Sequence, residues 1–267
     1  MTAAQGRKSI FITGAGSGIG RATAVLFAER GWFVGLYDVA ARGLEETQAL
    51  MPAGSWISGV FDVRDRAGWS DAVGQFGDAT GGRMNVLFNN AGVGRHGWFE
   101  QVPPEDSDWI VDVNLKGVIN GVYAALPLLE TTPGARIVNT ASTAGVVGSP
   151  QLAVYSATKF AVRGLTEALD VEFTPKGVRV SCLTPWFIET PILDMATREG
   201  SNEVMRQKLS GMEVYPVEMA AQKAWDAAHG EDVVVPVGKR AAQAGFMARF
   251  FPNALRKQLR KALPVRG

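Results

Sequence analysis

Short apolar runs alternate with longer segments of helical periodicity along most of the chain, and this alternation constrains the fold more than any other feature. A short apolar run bounded by turn residues predicts a buried strand, and apolar residues three or four positions apart predict a helix. Repeated strand–helix units favour a parallel sheet with helices on both faces, whose strands are apolar nearly throughout. The predicted strands cover residues 8–13, 32–37, 55–61, 84–88, 136–140, 178–183 and 232–236.

The helical segments lie between these strands, and no linker, repeat or low-complexity stretch interrupts the pattern. A chain of 267 residues suits one α/β domain. We therefore predict a single domain over residues 1–267: a doubly wound, parallel, seven-stranded sheet, followed by a basic helical segment at about 239–267. The predicted helices cover residues 18–30, 42–50, 66–76, 107–129, 153–174 and 219–228.

The composition is ordinary for a soluble globular protein, with 46% hydrophobic and 20% charged residues. Cys182 is the only cysteine, which excludes an intrachain disulfide and a cysteine-rich metal site, and it falls in a predicted core strand. The polar N-terminus lacks the apolar stretch of a signal peptide, and no later run is long enough to span a membrane. We expect a cytoplasmic protein with no metal and no nucleic-acid partner.

A glycine-rich turn joins the first predicted strand to the first predicted helix. Residues 13–20 fit the pattern T-G-x-x-x-G-x-G rather than G-x-G-x-x-G. Glycines allow a sharp turn and a close backbone approach to a pyrophosphate, whose charge is stabilised at a helix N-terminus. The turn indicates a dinucleotide site, and a purely structural turn is the alternative. The candidate cofactor-binding residues here are Gly14, Ser17, Gly18, Ile19 and Gly20.

An acidic residue ends the second predicted strand, since Asp38 follows Gly18 by 20 residues. A carboxylate there can accept a hydrogen bond from the 2′-hydroxyl of an adenosine ribose, and it would repel a 2′-phosphate. NAD is therefore the expected cofactor, while Arg42 lies near enough to keep NADP open. Asp62 and Val63 end the third strand at the same sheet edge, where Asp62 either faces an adenine amino group or lies in an exposed turn.

Tyr155 and Lys159 are four residues apart in a predicted helix, so their side chains share one helix face. A nearby ammonium favours the phenolate, which predicts that a tyrosine ionising ordinarily at about pH 10 acts as a base closer to neutrality. Hydride transfer to or from an alcohol carbon requires such a base beside the dinucleotide. As an isolated pair the two residues also fit helix packing and a solvated charge; Ser142 and the glycine turn favour the chemical role.

Together these segments resemble the short-chain dehydrogenase/reductase family, in its shorter single-domain branch with a Rossmann-like fold. They occur in the family's order, and the spacing from Ser142 to Tyr155 is that of the family. The resemblance covers roughly residues 8–235. The matching pieces are residues 13–20, Asp62, Val63, Asn89, Asn90, Ala91, Gly92, Asn114, Ser142, Tyr155, Lys159, Pro185 and Thr190.

The resemblance implies roles for these residues. It implies that Tyr155 exchanges a proton with the substrate oxygen as general acid or base. Lys159 would lower the pKa of that tyrosine and hold the nicotinamide ribose, and Ser142 would position the reacting oxygen. Asn114 would hold a water that links Lys159 to solvent, or it is a polar interior residue that bonds the backbone. Thr190 would bond the nicotinamide carboxamide. Further implied cofactor contacts come from Asn90, Ala91, Gly92, Pro185 and Ile188.

The chain departs from the family after the sixth predicted strand, where Pro185-Trp186 replaces the family's Pro-Gly. A tryptophan cannot adopt glycine-only dihedral angles, so either the local backbone is ordinary or the loop is re-routed. The indole of Trp186 is a candidate wall of the substrate pocket. His96, in the loop above the predicted site, is interpreted as loop surface or as a substrate contact.

The residues expected around the substrate are mostly apolar, with no Arg or Lys cluster suited to a carboxylate or phosphate. A hydrophobic secondary alcohol or ketone is therefore the expected substrate, although the same residues would also suit the packing of lid helices. A non-catalytic nucleotide-binding scaffold is the alternative function, disfavoured by the intact set of catalytic residues. The expected lining residues are Trp98, Phe99, Val146, Val147, Leu152, Trp186, Phe187, Ile192, Leu193 and Met195.

The resemblance also implies a homo-oligomer, a tetramer or a dimer, in which the predicted helices 107–129 and 153–174 pair across subunits. The C-terminal residues 239–267 hold eight of the 27 Lys and Arg residues and no acid, so the rest of the chain is acidic on balance. Pro252 suits a first helical position, and leucines then recur every fourth residue at 255, 259 and 263. This basic amphipathic helix either docks on the acidic body or contacts a membrane surface, as in a lipid-type dehydrogenase.

Overall fold

The seven predicted strands form one parallel sheet in the computed structural model, which describes residues 4, 6–194 and 211–262. The strand order is β3-β2-β1-β4-β5-β6-β7, and every pairing is parallel. This confirms the doubly wound, Rossmann-like prediction, and the order reverses between β1 and β4. The strands are β1 Ser9–Thr13, β2 Phe33–Asp38, β3 Trp56–Val60, β4 Val86–Asn89, β5 Arg136–Thr140, β6 Arg179–Pro185 and β7 Val234–Val237.

Helices connect the strands close to the predicted positions, and most boundaries move by only a few residues. The predicted helix 107–129 begins earlier, at Pro104, and is interrupted by a π-helical segment at Asp112–Lys116. The helices in the described residues are α1 Gly18–Glu29, α2 Ala41–Gln48, α3 Arg66–Thr80, α4 Pro104–Val111, α5 Gly117–Glu130, α6 Ala153–Glu172, α7 Val217–His229, α8 Lys239–Phe250 and α9 Pro252–Ala262.

Both faces of the sheet are buried, because successive strand residues point to opposite sides. On β1, Ile10 and Ile12 belong to the core cluster that also holds residues of α1 and α7. Phe11 points to the other face, where its ring stacks on Tyr37 with the ring centroids 4.1 Å apart and on Trp69 at 5.6 Å. This double burial explains the nearly continuous apolar runs of the strands. Cys182 lies fully buried in β6, as predicted.

The C-terminal residues form two helices after β7. Helix α9 begins at Pro252, as predicted, and packs mainly against α8. Leu255 and Leu259 lie partly exposed on α9, and Leu263 falls outside the described residues. Among the described residues the stripe contacts mainly α8, and its docking on the acidic body stays a prediction. No helix in the described part of the chain is long and apolar enough to cross a membrane.

Candidate active site

The predicted site residues converge at the carboxyl edge of the sheet, around the point where the strand order reverses. The glycine turn follows β1, Asn90 follows β4, and Ser142 lies just past β5. Helix α6 brings Tyr155 and Lys159 to the same edge. In open α/β sheets a ligand crevice forms at this place, because the loops on the two sides of the reversal diverge.

The glycine turn leaves the start of α1 open. Gly14 and Gly18 have φ angles of 68° and 48°, which favour glycine over residues with a side chain. Ser17 makes no capping hydrogen bond through its side chain, and the first turn of α1 contains no acidic residue. Because the first N–H groups of a helix lack partners inside it, this end is suited to an anion.

The loop after β4 holds the glycine turn from one side. The hydroxyl oxygen of Thr13 accepts hydrogen bonds from the backbone N–H groups of Asn90 and Ala91, both at 3.1 Å. The amide of Asn90 donates in return to the carbonyl oxygens of Thr13 and Gly14, at 3.1 and 3.3 Å. A Cβ atom at Gly14 would lie 2.9 Å from the Cα atom of Ala91. Asn90 and Ala91 thus fix the shape of the turn.

Asp38 is held in place by two backbone N–H groups. Gly16 donates to Oδ2 and Ala40 donates to Oδ1, each at 2.9 Å. Arg42 points elsewhere: its guanidinium lies 3.3 Å from Glu46, and its side chain is 91% exposed. The carboxylate therefore lies directly beside the glycine turn, with no ion-pair partner among the described residues.

Arg21 supports the glycine turn from α1, and no sequence motif predicted this role. Its guanidinium donates to the carbonyl oxygen of Gly43 at 3.3 Å and to Glu46 at 2.8 Å. It also donates to the hydroxyl of Thr47 at 3.1 Å, and Thr47 donates in turn to the carbonyl oxygen of Ala15 at 2.9 Å. These bonds lock α2 onto the turn.

Asp62 is paired with Arg64 rather than standing alone after β3. Arg64 donates to both carboxylate oxygens of Asp62, at 2.6 to 3.0 Å, and this pairing lowers the pKa of Asp62. The neighbouring Val63 is buried, and its carbonyl oxygen accepts hydrogen bonds from Trp69 at 2.9 Å and Asn120 at 3.2 Å. The end of β3 is thus rigid, with an Asp62 side chain that is one-third exposed.

Tyr155, Lys159 and Ser142 come together as predicted. The ammonium of Lys159 lies 5.5 Å from the ring centroid of Tyr155, and Ser142 forms a hydrogen bond with Tyr155. Lys159 is buried, and its ammonium donates to the carbonyl oxygen of Thr140 at 2.7 Å. Among the described residues no carboxylate pairs with Lys159. A hydroxyl pair and a buried cation therefore share one small volume at the carboxyl edge.

Burial governs the ionisation of this group in the chain alone. Desolvation raises the pKa of Tyr155 to about 12, against the opposing effect of the Ser142 hydrogen bond, although the residue keeps some exposed surface. Desolvation also lowers the pKa of Lys159 to about 8. The expectation that the ammonium brings the tyrosine close to neutral ionisation is therefore wrong for this state. At neutral pH Tyr155 holds its proton and is a hydrogen-bond donor.

Asn114 lies in the π-helical segment and is fully buried. Its side-chain oxygen accepts from the N–H of Val93 at 2.8 Å, and its amide donates to the carbonyl of Val93 at 2.9 Å and to Thr158 at 3.3 Å. A Cβ at Gly92 would lie 3.4 Å from the Asn114 oxygen and 3.5 Å from the Lys159 ammonium. The Asn114 side chain therefore holds the loop after β4 next to Lys159.

Trp186 keeps an ordinary backbone, because Gln151 is the only non-glycine residue with positive φ in the described chain. The backbone N–H of Trp186 donates to the carbonyl oxygen of Val237 at 3.3 Å, and the indole packs against the core cluster that contains Ile188 and Tyr215. Of the two alternatives for this position, the structure therefore has the ordinary local backbone. The indole also lies edge-to-face against Phe187 of the apolar cluster beside Tyr155, with ring centroids 5.1 Å apart, so its interpretation as a wall of the substrate pocket stays a prediction.

An apolar cluster packs against Tyr155. Four of the predicted lining residues belong to this cluster, together with Val214, which was not predicted. Phe99 instead lies 69% exposed, and Met195 falls outside the described residues. The cluster consists of Leu152, Leu193, Phe187, Ile192 and Val214 beside Tyr155.

Two further positions frame the site. Thr190 is buried and lies over the glycine turn, since a Cβ at Gly18 would be 3.0 Å from its methyl carbon. His96 is also buried, with 6% exposure, so its interpretation as loop surface is wrong. The adjacent Gly97 donates to the carbonyl of Gln151 at 2.9 Å, and Gln151 has a φ of 64°. The loop above the site is therefore tied to the start of α6.

Comparisons with known proteins agree with this geometry. The family model for short chain dehydrogenases matches residues 8–201. The chain is 35% identical over 207 residues to the oxidoreductase UcpA of Salmonella typhimurium, covering 77% of this chain and 78% of that protein. It is also 35% identical over 191 residues to the cyclohexanol dehydrogenase of Acinetobacter sp., covering 70% and 75% of the two chains.

Among solved structures, a short-chain dehydrogenase/reductase from Burkholderia phymatum in complex with NAD matches with a TM-score of 0.81 at 28% sequence identity. The match covers 94% of this chain and 95% of that chain. The chain therefore belongs to the short-chain dehydrogenase/reductase family and is an oxidoreductase of that family. Among the described residues no group of His, Cys, Asp and Glu is arranged to hold a metal ion.

Proposed function

We propose that this protein transfers a hydride between a nicotinamide cofactor, preferably NAD, and an apolar secondary alcohol or its ketone. The observation that carries the proposal is the Tyr155 hydroxyl, hydrogen-bonded to Ser142 and flanked by the buried ammonium of Lys159. The group lies at the sheet edge that also holds an uncapped helix N-terminus. The relative that is a cyclohexanol dehydrogenase fits this substrate class.

The residues present fit a dinucleotide. The uncapped start of α1 at Gly18 is suited to the pyrophosphate, and the fixed carboxylate of Asp38 is suited to the adenosine ribose hydroxyls. Asp38 disfavours a 2′-phosphate, and Arg42 is turned toward Glu46. NAD is therefore preferred over NADP, and the Burkholderia relative, whose structure contains NAD, is consistent with this preference. The other cofactor-binding residues proposed are Gly14, Ser17, Ile19, Gly20, Asp62, Val63, Asn90, Ala91, Gly92, Pro185, Ile188 and Thr190.

The cofactor, when bound, supplies the hydride chemistry, and the protein's own residues handle the proton. Tyr155 holds a proton at neutral pH and donates it to the substrate oxygen during ketone reduction. Ser142 donates a hydrogen bond to the same oxygen and fixes its distance from Tyr155. The cation of Lys159 stabilises the phenolate that remains. In alcohol oxidation the same residues act in reverse, with phenolate as the base.

In alcohol oxidation the proton taken up by Tyr155 leaves through Lys159, and in ketone reduction Tyr155 regains its proton by the reverse route. Because burial brings the pKa of Lys159 to about 8, the ammonium can release a proton near physiological pH. Asn114, in the π-helical segment, and the loop at Gly92 border the ammonium, and they are the groups placed to lead a proton away from it. This is the role proposed for Asn114.

The substrate pocket is apolar. Leu152, Leu193 and Phe187 pack in one apolar cluster with Tyr155. Arg95 also lines a cavity beside Tyr155, but its guanidinium is paired with Asp106 at 3.2 Å. A cyclic or branched apolar ketone fits these side chains better than a charged substrate does, because a charged group would lose its hydration without gaining a partner.

Replacing Tyr155 with Phe tests the proposal. The variant removes the hydroxyl and keeps the ring, so turnover of a cyclic ketone with NADH should fall by about 10²–10⁴-fold. NADH binding, measured by its fluorescence, should remain within about threefold of wild type, as expected for a group that acts on the proton. Near-wild-type turnover in this variant would refute the mechanism, and absent turnover in both proteins with intact NADH binding would favour a non-catalytic scaffold.

We further propose a cytoplasmic, single-domain homo-oligomer that pairs the α4–α5 and α6 faces across subunits, as a tetramer or a dimer. Phe160 and Val171 on α6 are 42% and 73% exposed, and Tyr123 on α5 is 73% exposed. Exposed apolar side chains on two neighbouring helices are suited to burial between subunits. Light scattering of the purified protein at micromolar concentration measures the assembly, and a monomer mass would contradict this proposal.

A further inference from the structure

We propose that helices α8 and α9, residues 239–262, form a docking surface for an anionic phospholipid bilayer. The surface lies outside the candidate active site, and the proposal does not depend on the hydride-transfer activity. It follows from the position of three aromatic side chains and a set of unpaired basic residues on these two helices.

The apolar part of the surface is an aromatic patch, defined as Phe246, Phe250 and Phe251. These side chains are 57%, 58% and 51% exposed, which is unusual for phenylalanine in a folded chain. They contact one another, with ring centroids of Phe246 at 4.9 Å from Phe250 and 6.0 Å from Phe251. Clustered exposed aromatic rings, rather than scattered ones, mark an interaction site.

The charged part of the surface has one sign. Residues 239–262 contain no Asp or Glu. Arg240 pairs with Glu213 at 3.4 Å, whereas the basic residues farther along make no ion pair with any carboxylate of the described chain. These exposed and unpaired residues are Arg249, Arg256, Lys257, Arg260 and Lys261.

Helix α9 separates its apolar and basic residues onto different faces. Leu255 and Leu259, one turn apart, lie partly buried on one face, while the basic residues of the helix are exposed. Within the described residues the helix packs mainly against α8, and its exposed cations remain available to an external anion. A basic amphipathic helix with neighbouring phenylalanines is the composition that lies in a membrane interface.

A bilayer suits this surface better than a second copy of the chain. In a twofold interface the patch would meet itself, which would bring the same basic residues face to face. Like charges across an interface oppose association. An anionic bilayer presents the complementary charge, and its acyl region accepts the exposed rings. Helix α8 also packs against β7 and the turn at Thr143–Gly145, so a docked protein would hold its active-site edge close to the lipid.

Vesicle sedimentation with the full-length protein tests the proposal. Vesicles of phosphatidylcholine mixed equally with phosphatidylglycerol should bind the protein at least about tenfold more strongly than phosphatidylcholine alone, and added salt should weaken the binding. The double variant Arg260→Gln/Lys261→Gln should weaken it about 30-fold, at about 1 kcal/mol for each basic residue. The matched control Arg83→Gln, at an exposed basic residue of the body, should change it less than about twofold.

A second variant tests the aromatic patch. Phe250→Ser/Phe251→Ser should weaken vesicle binding at least about tenfold, while Leu50→Ser, at an exposed apolar residue outside both helices, should leave it unchanged. Thermal unfolding of each variant checks its folding. No binding of the wild-type protein to anionic vesicles overturns the proposal. A lower oligomer mass in the Phe250→Ser/Phe251→Ser variant, without vesicle binding in the wild type, would instead assign the patch to a contact between copies.

Discussion

A single methyl group should have opposite effects on stability at two helical glycines, Gly20 and Gly74. At Gly74, in α3, a Cβ would meet no atom within 4 Å. At Gly20, in the first turns of α1, it would lie 2.7 Å from the carbonyl carbon of Gly14 and 2.8 Å from the amide nitrogen of Asn90. Its closest approach would be to the carbonyl oxygen of Gly14, a backbone atom that cannot move alone.

The magnitudes follow from helix propensity and overpacking. Gly74→Ala should stabilise the protein by about 0.5–1 kcal/mol, because alanine loses less backbone entropy in a helix. Gly20→Ala gains the same term but must displace the glycine turn, so a net destabilisation of about 1–3 kcal/mol is expected. For a chain of this size these changes raise Tm by about 1–4 °C and lower it by about 2–12 °C, respectively.

Thermal unfolding of the two variants and wild type, with and without NADH, measures these effects. NADH binding should weaken at least about tenfold in Gly20→Ala, because the displaced turn forms the start of α1. In Gly74→Ala it should be unchanged. Equal stabilisation by both substitutions, with unchanged NADH affinity, would contradict this prediction. It would show that the glycine turn can shift at no cost in free energy of unfolding.

The remaining predictions concern charge and assembly. Because the folded-state pKa of Lys159 lies at about 8, below the ordinary 10.5, the unfolded chain binds more protons at this residue between these values, and the contribution of Lys159 to stability should rise from about pH 8 to about 10. Burial raises the pKa of Cys182 and opposes this rise above about pH 9, so the measured quantity is the difference in urea stability between wild type and Lys159→Met, which should increase across the window. Asp38→Asn should raise the ratio of kcat/KM for NADP over NAD by about tenfold or more, measured by nicotinamide absorbance, since it removes a like charge. Arg21→Met should lower the free energy of unfolding by about 1–3 kcal/mol in urea titrations, because it breaks charged hydrogen bonds to the α2 backbone and Glu46. Phe160→Glu should lower the oligomer mass in light scattering, and an unchanged mass would exclude that face of α6 from the interface.

The sequence predicted those features that depend on local periodicity. The doubly wound parallel sheet could be anticipated because each apolar run is covered on both faces. The Tyr155–Lys159 pair could be anticipated because a spacing of four residues places two side chains on one helix face. The glycine turn was recognisable because positions such as Gly14 and Gly18 need conformations that other residues avoid. Each of these signals lies within a few residues of the feature that it predicts.

The features that escaped prediction depend on contacts across the fold. The raised pKa of Tyr155 results from burial, whereas the sequence displays only the neighbouring cation. The Trp186 indole packs against a core cluster that draws most of its residues from distant parts of the chain. In the sequence Arg21 is an ordinary helix residue, and its hydrogen bond to α2 depends on the packing of the two helices. The roles of the site residues in catalysis remain predictions that the variants above test.

The π-helical segment at Asp112–Lys116 cannot be converted to a regular α-helix without changing the packing around it. The N–H of Gly117 bonds to the carbonyl of Asp112, five residues earlier, so the segment contains one residue more than a regular helix would need. Deleting one residue would turn all that follows by about 100° around the helix axis.

This rotation about the helix axis would displace two glycines that face the core. A Cβ at Gly117 would meet Val63 at 2.8 Å, and one at Gly121 would meet Trp69 at 2.7 Å. Neighbouring side chains would rotate into those narrow positions, so the helix cannot be straightened without repacking α3 and the end of β3. Converting this segment to a regular α-helix would therefore displace Asn114 and disrupt the packing of α5 at the same time. Single-residue insertions or deletions here should rarely be found in active variants of this chain.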